Sequence, residues 1–358
     1  MTSTGQPLNV GLIGYGLGGA TFHAPFITIT PGLRLSAVMT SDPARRAAVA
    51  ERYRDARLAN DLNELLGGTP KLDLIAISSP NATHVPLAHA ALEAGAHVVV
   101  DKPFAATAAQ AREIEALAKR VGRIAIPFQN RRWDGDFLTL QSLIHDGSLG
   151  TVHRFESRFD RWRLVAKAGW ARPDARERGE DIVYDLGTHL IDQALLLFGP
   201  VASVYAELDR RNPEVVTVDD AFIALSHTSG TRSHLHMSTR AGVAGPRMSV
   251  FGSRGAYVKF GLDVQEDILR AGGHPGTPNW GEEPQERWGT LGAGPNIERV
   301  PTLPGAYQEF YAGIARAIRD GASPPVAIAD VAAGLDIIDA AHRSAATGAV
   351  VALPQTVI

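Results

Sequence analysis

Cysteine is absent from the 358 residues, which removes disulfides, thiolate metal sites and a cysteine nucleophile together. An excess of charge of either sign is also missing. The 35 Lys and Arg against 38 Asp and Glu give a formal net charge of −3, so electrostatics offers nothing to draw nucleic acid or an anionic membrane as a partner. No apolar run approaches the roughly 20 residues that span a bilayer, and no fixed-period repeat or low-complexity tract is visible. MTSTGQPLNVGLIGYG enters a strand pattern almost at once, without the basic, apolar and cleavage-site succession of a secretory signal. These absences predict a cytoplasmic protein. What remains, 45% hydrophobic and 20% charged residues, is the balance of a soluble globular chain. Its length favours two domains, because single cores rarely grow past roughly 250–300 residues.

Residues 1–128 alternate strand and helix. Apolar strand runs are LNVGLI (8–13), RLSAVMTS (34–41), LDLIAISSP (72–80), AHVVVDKP (96–103) and RIAIPF (123–128). Helical stretches at 43–53, 84–95 and 107–122 separate them, with Gly95 placed as a helix stop. Near-continuous Val/Ile/Leu strands between amphipathic helices predict a Rossmann-type, doubly wound parallel sheet covered on both faces. Ligands of such sheets bind at the carboxyl ends of the strands.

The polar and glycine residues of this domain cluster at those ends. Gly14, Gly16 and Gly19 of GYGLGG form G-x-G-x-x-G directly after a strand, the context in which the motif binds a dinucleotide pyrophosphate. Candidate cofactor contacts are therefore Gly14, Gly16, Leu17, Gly18 and Gly19. Ser79, Pro80, Asn81 and His84 follow the third strand run, and Asp101 and Lys102 the fourth. The second strand run ends in neutral Thr40 and Ser41, with Arg45 and Arg46 opening the next helix. Ser41 and these arginines suit a 2′-phosphate and favour NADP. Asp42, if it took the ribose hydroxyl instead of capping the helix, would favour NAD.

Residues 129–358 change character. A helix at 137–150 leads into β patterns at 151–163, 201–208, 219–227, 231–241, 247–253 and 256–261. This predicts an α+β domain with a large, mostly antiparallel sheet, one face carrying a helix at 181–198. Residues 271–300 read as a long loop, and helices at 305–320 and 328–346 close the chain. Val201, Val204, Phe222 and Leu225 read as an apolar sheet face in need of cover, which predicts a homo-oligomer. His234 and His236 share a strand face, but no third ligand stands at metal spacing, so no metal is expected.

Within VYDLGTHLID, helical period places Asp185, His189 and Asp192 on one stripe of an apolar helix. Buried charge is costly unless it is paired or used. A histidine that exchanges a proton near neutrality, a nearby carboxylate and a strand-end lysine are the groups that alcohol–ketone redox needs. Asp192 suits a packing or supporting role. Arg132, Trp133, Arg158, Asp160, Arg161, Trp162, Arg163 and Trp170 are available to line a substrate pocket by hydrogen bonding and stacking. Strand alternation puts Arg161 and Arg163 on one face, opposite Arg158, Asp160 and Trp162.

Taken together, GYGLGG, SSPNATHVPLAHAALEAGAHVVVDKP and YDLGTHLIDQALLLFG resemble the glucose–fructose oxidoreductase, inositol dehydrogenase and rhizopine-catabolism (Gfo/Idh/MocA) family over essentially the whole chain. Asp101-Lys102-Pro103 stands where that family usually has Glu-Lys-Pro. NRRWDGDFLTL, QEDILRAG and the Trp-containing late loop resemble its NADP-dependent scyllo-inositol dehydrogenase branch. The resemblance implies Lys102, Asp185 and His189 as catalytic residues; with them, Trp133 and Arg161 from the arginines and aromatics above are the expected substrate contacts. It implies a cyclic polyol or sugar substrate and a homodimer or homotetramer. Two other functions stand beside this one: an NAD-dependent sugar hydrolase with no net redox, and a dinucleotide-binding regulatory protein without catalysis.

Overall fold

The computed structural model describes residues 6–163, 165 and 174–354. Strands β1 (Leu8–Ile13), β2 (Leu33–Met39), β3 (Arg57–Ala59), β4 (Leu74–Ile77), β5 (His97–Val100) and β6 (Ala125–Pro127) form one parallel sheet in the order β3-β2-β1-β4-β5-β6. The order reverses between β1 and β4, and a crevice opens at such a switch point. All four residues of β4 are buried, as expected of a strand covered on both faces. The flanking helices are α1 (Ala24–Ile29), α2 (Pro43–Arg52), α3 (Leu62–Gly67), α4 (His84–Glu93) and α5 (Ala108–Arg120). Local chemistry sets their ends. Asp42 caps α2 with Pro43 in its first turn, and Thr107 and Gln110 complete a capping box on α5. Gly95, at φ +84°, follows α4 in the left-handed conformation that stops a helix. Short β3 and α3 lie between the expected helix at 43–53 and the next strand.

The second sheet has nine strands. These are β7 (Val152–Asp160), β8 (Val201–Asp209), β9 (Asp220–His227), β10 (Arg232–Ser238), β11 (Met248–Gly252), β12 (Ala256–Lys259), β13 (Gly289–Ala293), β14 (Asn296–Val300) and β15 (Val351–Ala352). Their order is β14-β13-β12-β11-β7-β10-β9-β8-β15. All pairs are antiparallel except β7 with β10. The helices of this half are α6 (Gly135–His145), α7 (Thr188–Phe198), α8 (Gln265–Arg270), α9 (Gln308–Asp320) and α10 (Ile328–Thr347). α7 packs on β7 and β10, while α10 packs on β8, on α7 and, across to the first sheet, on α5 and β6.

Three expectations are corrected. Residues 271–300 are not loop throughout, because β13 and β14 form a hairpin at the sheet edge. Glycine hides the strand: Gly289 lies against the Tyr257 ring, 2.5 Å from where a Cβ would stand, and so cannot carry a β-forming side chain. The four apolar residues assigned to one sheet face are divided. Val201, Val204 and Leu225 are buried on the helix-covered face, and Phe222 alone points to the other, where it packs with His234 and His236. Finally, the helix expected at 181–198 is α-helical only from Thr188, since Val183–Gly187 is a π turn.

Candidate functional site

At the end of β1 the chain must turn at once. Gly14 does so at φ +91°, and a Cβ there would stand 2.3 Å from the Ser78 carbonyl oxygen. Gly19 is equally confined, its absent Cβ lying 2.1 Å from the Gly14 oxygen. Gly16 differs: a Cβ would meet only the Arg45 guanidinium, at 3.7 Å. The loop is sealed against the sheet at both ends and open in its middle, which lets a pyrophosphate reach the backbone N–H groups. Leu17 is exposed beside the opening, and Gly18 covers Ser78 and Asp101. These residues fit a bound dinucleotide.

The end of β2 separates residues that the sequence leaves together. Ser41 is exposed. Asp42 uses Oδ1 to accept the Arg45 N–H at 3.0 Å, as a helix cap. Arg45 is half exposed over Gly16, whereas Arg46 turns back and donates to the carbonyls of Thr40 and Ala59, both at 3.2 Å. After β4, Ser79 shares a hydroxyl hydrogen bond with Thr83, and Pro80 is exposed. Asn81 donates to the Gly179 carbonyl at 2.9 Å. His84 is buried with its ring nitrogens 2.8 and 2.9 Å from the carbonyls of Pro103 and Ser79. The side chains of Asn81 and His84 thus hold the loops at the strand ends together.

Asp101 follows β5. Its Oδ1 accepts the Lys102 N–H at 2.7 Å, and its Oδ2 accepts the Ser78 hydroxyl at 2.8 Å. Lys102 then reaches across to the π turn, where Nζ donates to Asp185 Oδ1 at 2.6 Å and to the Asp185 carbonyl at 2.8 Å. π turns are rare and recur at functional sites. This one explains how three ionisable groups fit one apolar helix, because the wider turn carries Asp185 off the α-helical stripe to Lys102. Asp192 stays in the stripe and takes a bidentate bond from Arg132, at 2.9 and 2.6 Å, with Asp330 closing the group at 3.0 Å from Arg132.

His189 lies between them, 5% exposed, with a buried Nδ1 that has no hydrogen-bond partner among the described residues. Burial first, then the charges of Arg131 and Lys102, hold its imidazole well below the ordinary histidine range, with Asp185 opposing. The buried Phe159 ring meets three guanidinium groups, those of Arg131, Arg161 and Arg247, at 4.9, 5.1 and 5.3 Å. Arg131 is paired with Asp134 and Glu266, and Arg247 with Asp136. Arg161 has no ion-pair partner among the described residues and lies within the field of Asp185. Burial lowers its pKa, and Asp185 opposes that shift. Arg161 thus belongs to the side facing Asp185. Arg158 and Asp160 line a groove on the opposite sheet face with Phe222 and His236. Trp133 is half-buried with its ring edge-on to Phe310, 5.7 Å between centroids, and Trp162 is exposed under Arg240. Trp170 lies outside the described residues. Sequence reasoning missed Ser78, Arg131, His23 and Tyr311. For His23 there was one signal, a histidine inside the apolar ATFHAPF run just after the glycine turn.

Residues 8–128 match the model of an oxidoreductase family's NAD-binding Rossmann fold, and residues 141–353 match that family's C-terminal alpha/beta domain. The uncharacterised oxidoreductase YdgJ of Escherichia coli is 41% identical over 342 residues, covering 94% of this chain and 96% of its own. The scyllo-inositol 2-dehydrogenase (NADP(+)) IolW of Bacillus subtilis is 33% identical over 94% of this chain and 93% of its own. Among solved structures, yvaA of Bacillus subtilis superposes with a TM-score of 0.91 at 32% identity, over 98% of this chain and 99% of that one. With both domains matched and relatives aligned nearly end to end, this chain belongs to the Gfo/Idh/MocA oxidoreductase family.

Proposed function

We propose that this protein is an NADP-dependent dehydrogenase or reductase that interconverts a secondary alcohol and a ketone on a cyclic polyol or sugar. The observation that carries the reading is the Lys102–Asp185 contact of 2.6 Å, made next to Asp101, which lies against Gly18 of the glycine loop, and one helical turn from a buried His189 whose pKa is held low. Gly14, Gly16, Leu17, Gly18, Gly19, Ser41 and Arg45 hold the cofactor, which when bound supplies the hydride acceptor. His189 takes the proton of the substrate hydroxyl as the C–H bond on the same carbon breaks and the carbonyl forms. Lys102 donates a hydrogen bond to that oxygen and stabilises its developing charge. Asp185 fixes the Lys102 ammonium and accepts from an adjacent hydroxyl. Arg161 and Trp133 complete the substrate side. IolW, named for scyllo-inositol and NADP(+), supports the substrate class and the cofactor.

The reading also assigns the chain to the cytoplasm, in keeping with its lack of cysteine. Among the described residues no helix is long and apolar enough to cross a membrane. The sheet face bearing Phe222 is assigned to a second copy, giving a dimer or tetramer.

The test is an NADPH-linked assay with scyllo-inositol and related polyols. Stoichiometric NADPH formation is expected. Lys102→Ala and His189→Ala should each lower kcat by at least about 10²-fold, as loss of general acid–base help does. Lys102→Arg should fail as well, since a planar fork does not replace a compact ammonium. Turnover without NADPH change would mark a sugar hydrolase, and cofactor binding without turnover a regulatory protein; either result removes the reading.

A further inference from the structure

A second π turn, Gly19–His23, precedes α1 and ends in a histidine that the proposed chemistry does not use. His23 is fully buried, with its ring 4.3 Å from the Phe128 ring. Its Nδ1 lies 2.6 Å from the hydroxyl of Tyr311, a fully buried residue of α9 that is 288 positions away in sequence. Its Nε2 stands 3.5 Å from Asp101 Oδ2 and has no hydrogen-bond partner among the described residues.

Proton bookkeeping selects one arrangement. The Tyr311 hydroxyl has no partner but His23 Nδ1 among the described residues. If Nδ1 carried the proton, the Tyr311 O–H would have no acceptor, and the Nε2 lone pair would face a carboxylate. If Tyr311 donates to Nδ1, the proton sits on Nε2 and points at Asp101. Both buried donors are then directed at acceptors, and no like charges meet.

We propose that Tyr311 and His23 are positioning residues for Lys102, forming a relay in which Tyr311 fixes the His23 tautomer and His23 Nε2–H anchors Asp101. Asp101 in turn holds the Lys102 backbone N–H at 2.7 Å and Ser78 at 2.8 Å, and its carboxylate lies directly under Gly18. The relay therefore ties a helix of the second half of the chain to both the lysine and the glycine loop. Burial by itself would raise the Asp101 pKa, but the hydrogen bond from His23 and the nearby Lys102 charge oppose it and keep the anchor ionised. The proposal rests on the reading of Lys102 as the group that stabilises the substrate oxygen.

The two faces of the ring are tested separately. Glutamine presents an amide nitrogen where His23 has Nε2, and asparagine presents an oxygen where it has Nδ1. His23→Gln should keep kcat within about 3-fold of wild type, while His23→Asn should lose about 10–100-fold, the scale expected when a reacting group is misplaced by about 1 Å. Substrate KM and NADP Kd should move by less than about 3-fold in both. Tyr311→Phe, which removes only a hydroxyl, should lower kcat about 3–10-fold in wild type and by less than about 2-fold on the His23→Gln background, where the donor to Asp101 no longer depends on the tyrosine. Selective nitrogen-15 histidine NMR, with His23→Gln assigning the signal, should show neutral His23 protonated at Nε2. A wild-type His23 in any other protonation state overturns the relay, as does equal loss, or no loss, of kcat in the Gln and Asn variants. Should the reading of Lys102 be the part at fault, Lys102→Ala keeps its kcat while the NMR signature stands.

Discussion

At the scale of single residues, the site separates side chains that look equivalent in sequence. Arg45 and Arg46 are adjacent, yet Arg45 stands over Gly16 and Arg46 is held by the carbonyls of Thr40 and Ala59. Arg45→Ala should raise KM for NADP by about 10–100-fold, matching the 1.5–3 kcal/mol of a charge-assisted contact, and leave KM for NAD within a few-fold. Arg46→Ala should lower Tm and affect both cofactors alike. Equal losses of NADP preference in the two variants would show that the structure does not distinguish them. His189 makes a second prediction, in pH. Its pKa is lowered, so the neutral base persists on acidification past the ordinary value of 6.5. For alcohol oxidation, kcat/KM should rise with pH through an inflection below 6.5 that His189→Ala abolishes. An inflection at pH 7 or above would contradict that environment. The residue types proposed for the chemistry were legible in DKP and DLGTH. Their partners were not, because Lys102–Asp185 and His23–Tyr311 join positions 83 and 288 residues apart, and no local pattern encodes such pairings.

At the scale of elements, the glycine turn yields a paired prediction. Gly19→Ala forces a Cβ into the Gly14 carbonyl and should lower Tm as well as cofactor affinity. Gly16→Ala points into the opening, so Tm should hold while NADP Kd rises about 10-fold or more. A stable Gly19→Ala protein with full affinity would refute the packing described for the loop. Both the turn and the parallel strands could be read from sequence, since apolar runs and glycine spacing follow directly from burial and close approach. The π turn at Val183–Gly187 could not. Its residues have helical spacing, and the Lys102 contact that Asp185 makes from the wider turn lies 83 positions away. The hairpin of β13 and β14 was missed because Gly289 and Gly292 take strand positions that lack β-forming side chains.

At the scale of the whole molecule, the open face of the nine-stranded sheet bears on assembly. Light scattering at micromolar concentration should give a dimer or tetramer, and a monomer alone would remove that assignment. Acid stability follows from the buried titratable groups. Burial lowers the pKa of His97, His189, His227, His234, His236 and His342, the last to about 4. Each contributes stability that is full above its unfolded value near 6.5 and lost as pH falls through the folded value. Asp134, Asp181, Asp192 and Asp263 are raised by burial, Asp181 and Asp263 to about 6, and act in the opposite sense, gaining as pH falls. Because the histidines outnumber the carboxylates, Tm should fall between pH 7 and pH 5; a rise would reverse the balance. The placement of α10 has a consequence for synthesis. This helix covers α5 and β6 of the first sheet, yet it is made about 200 residues after β6, which at ~5–20 residues per second is on the order of 10–40 s later. A ribosome-bound nascent chain whose first sheet is complete therefore still bares the face of α5 that α10 covers, the face from which Arg112 pairs with Asp336. During that interval the first sheet waits for the helix that covers it, and truncation before Ile328 should leave α5 open to protease.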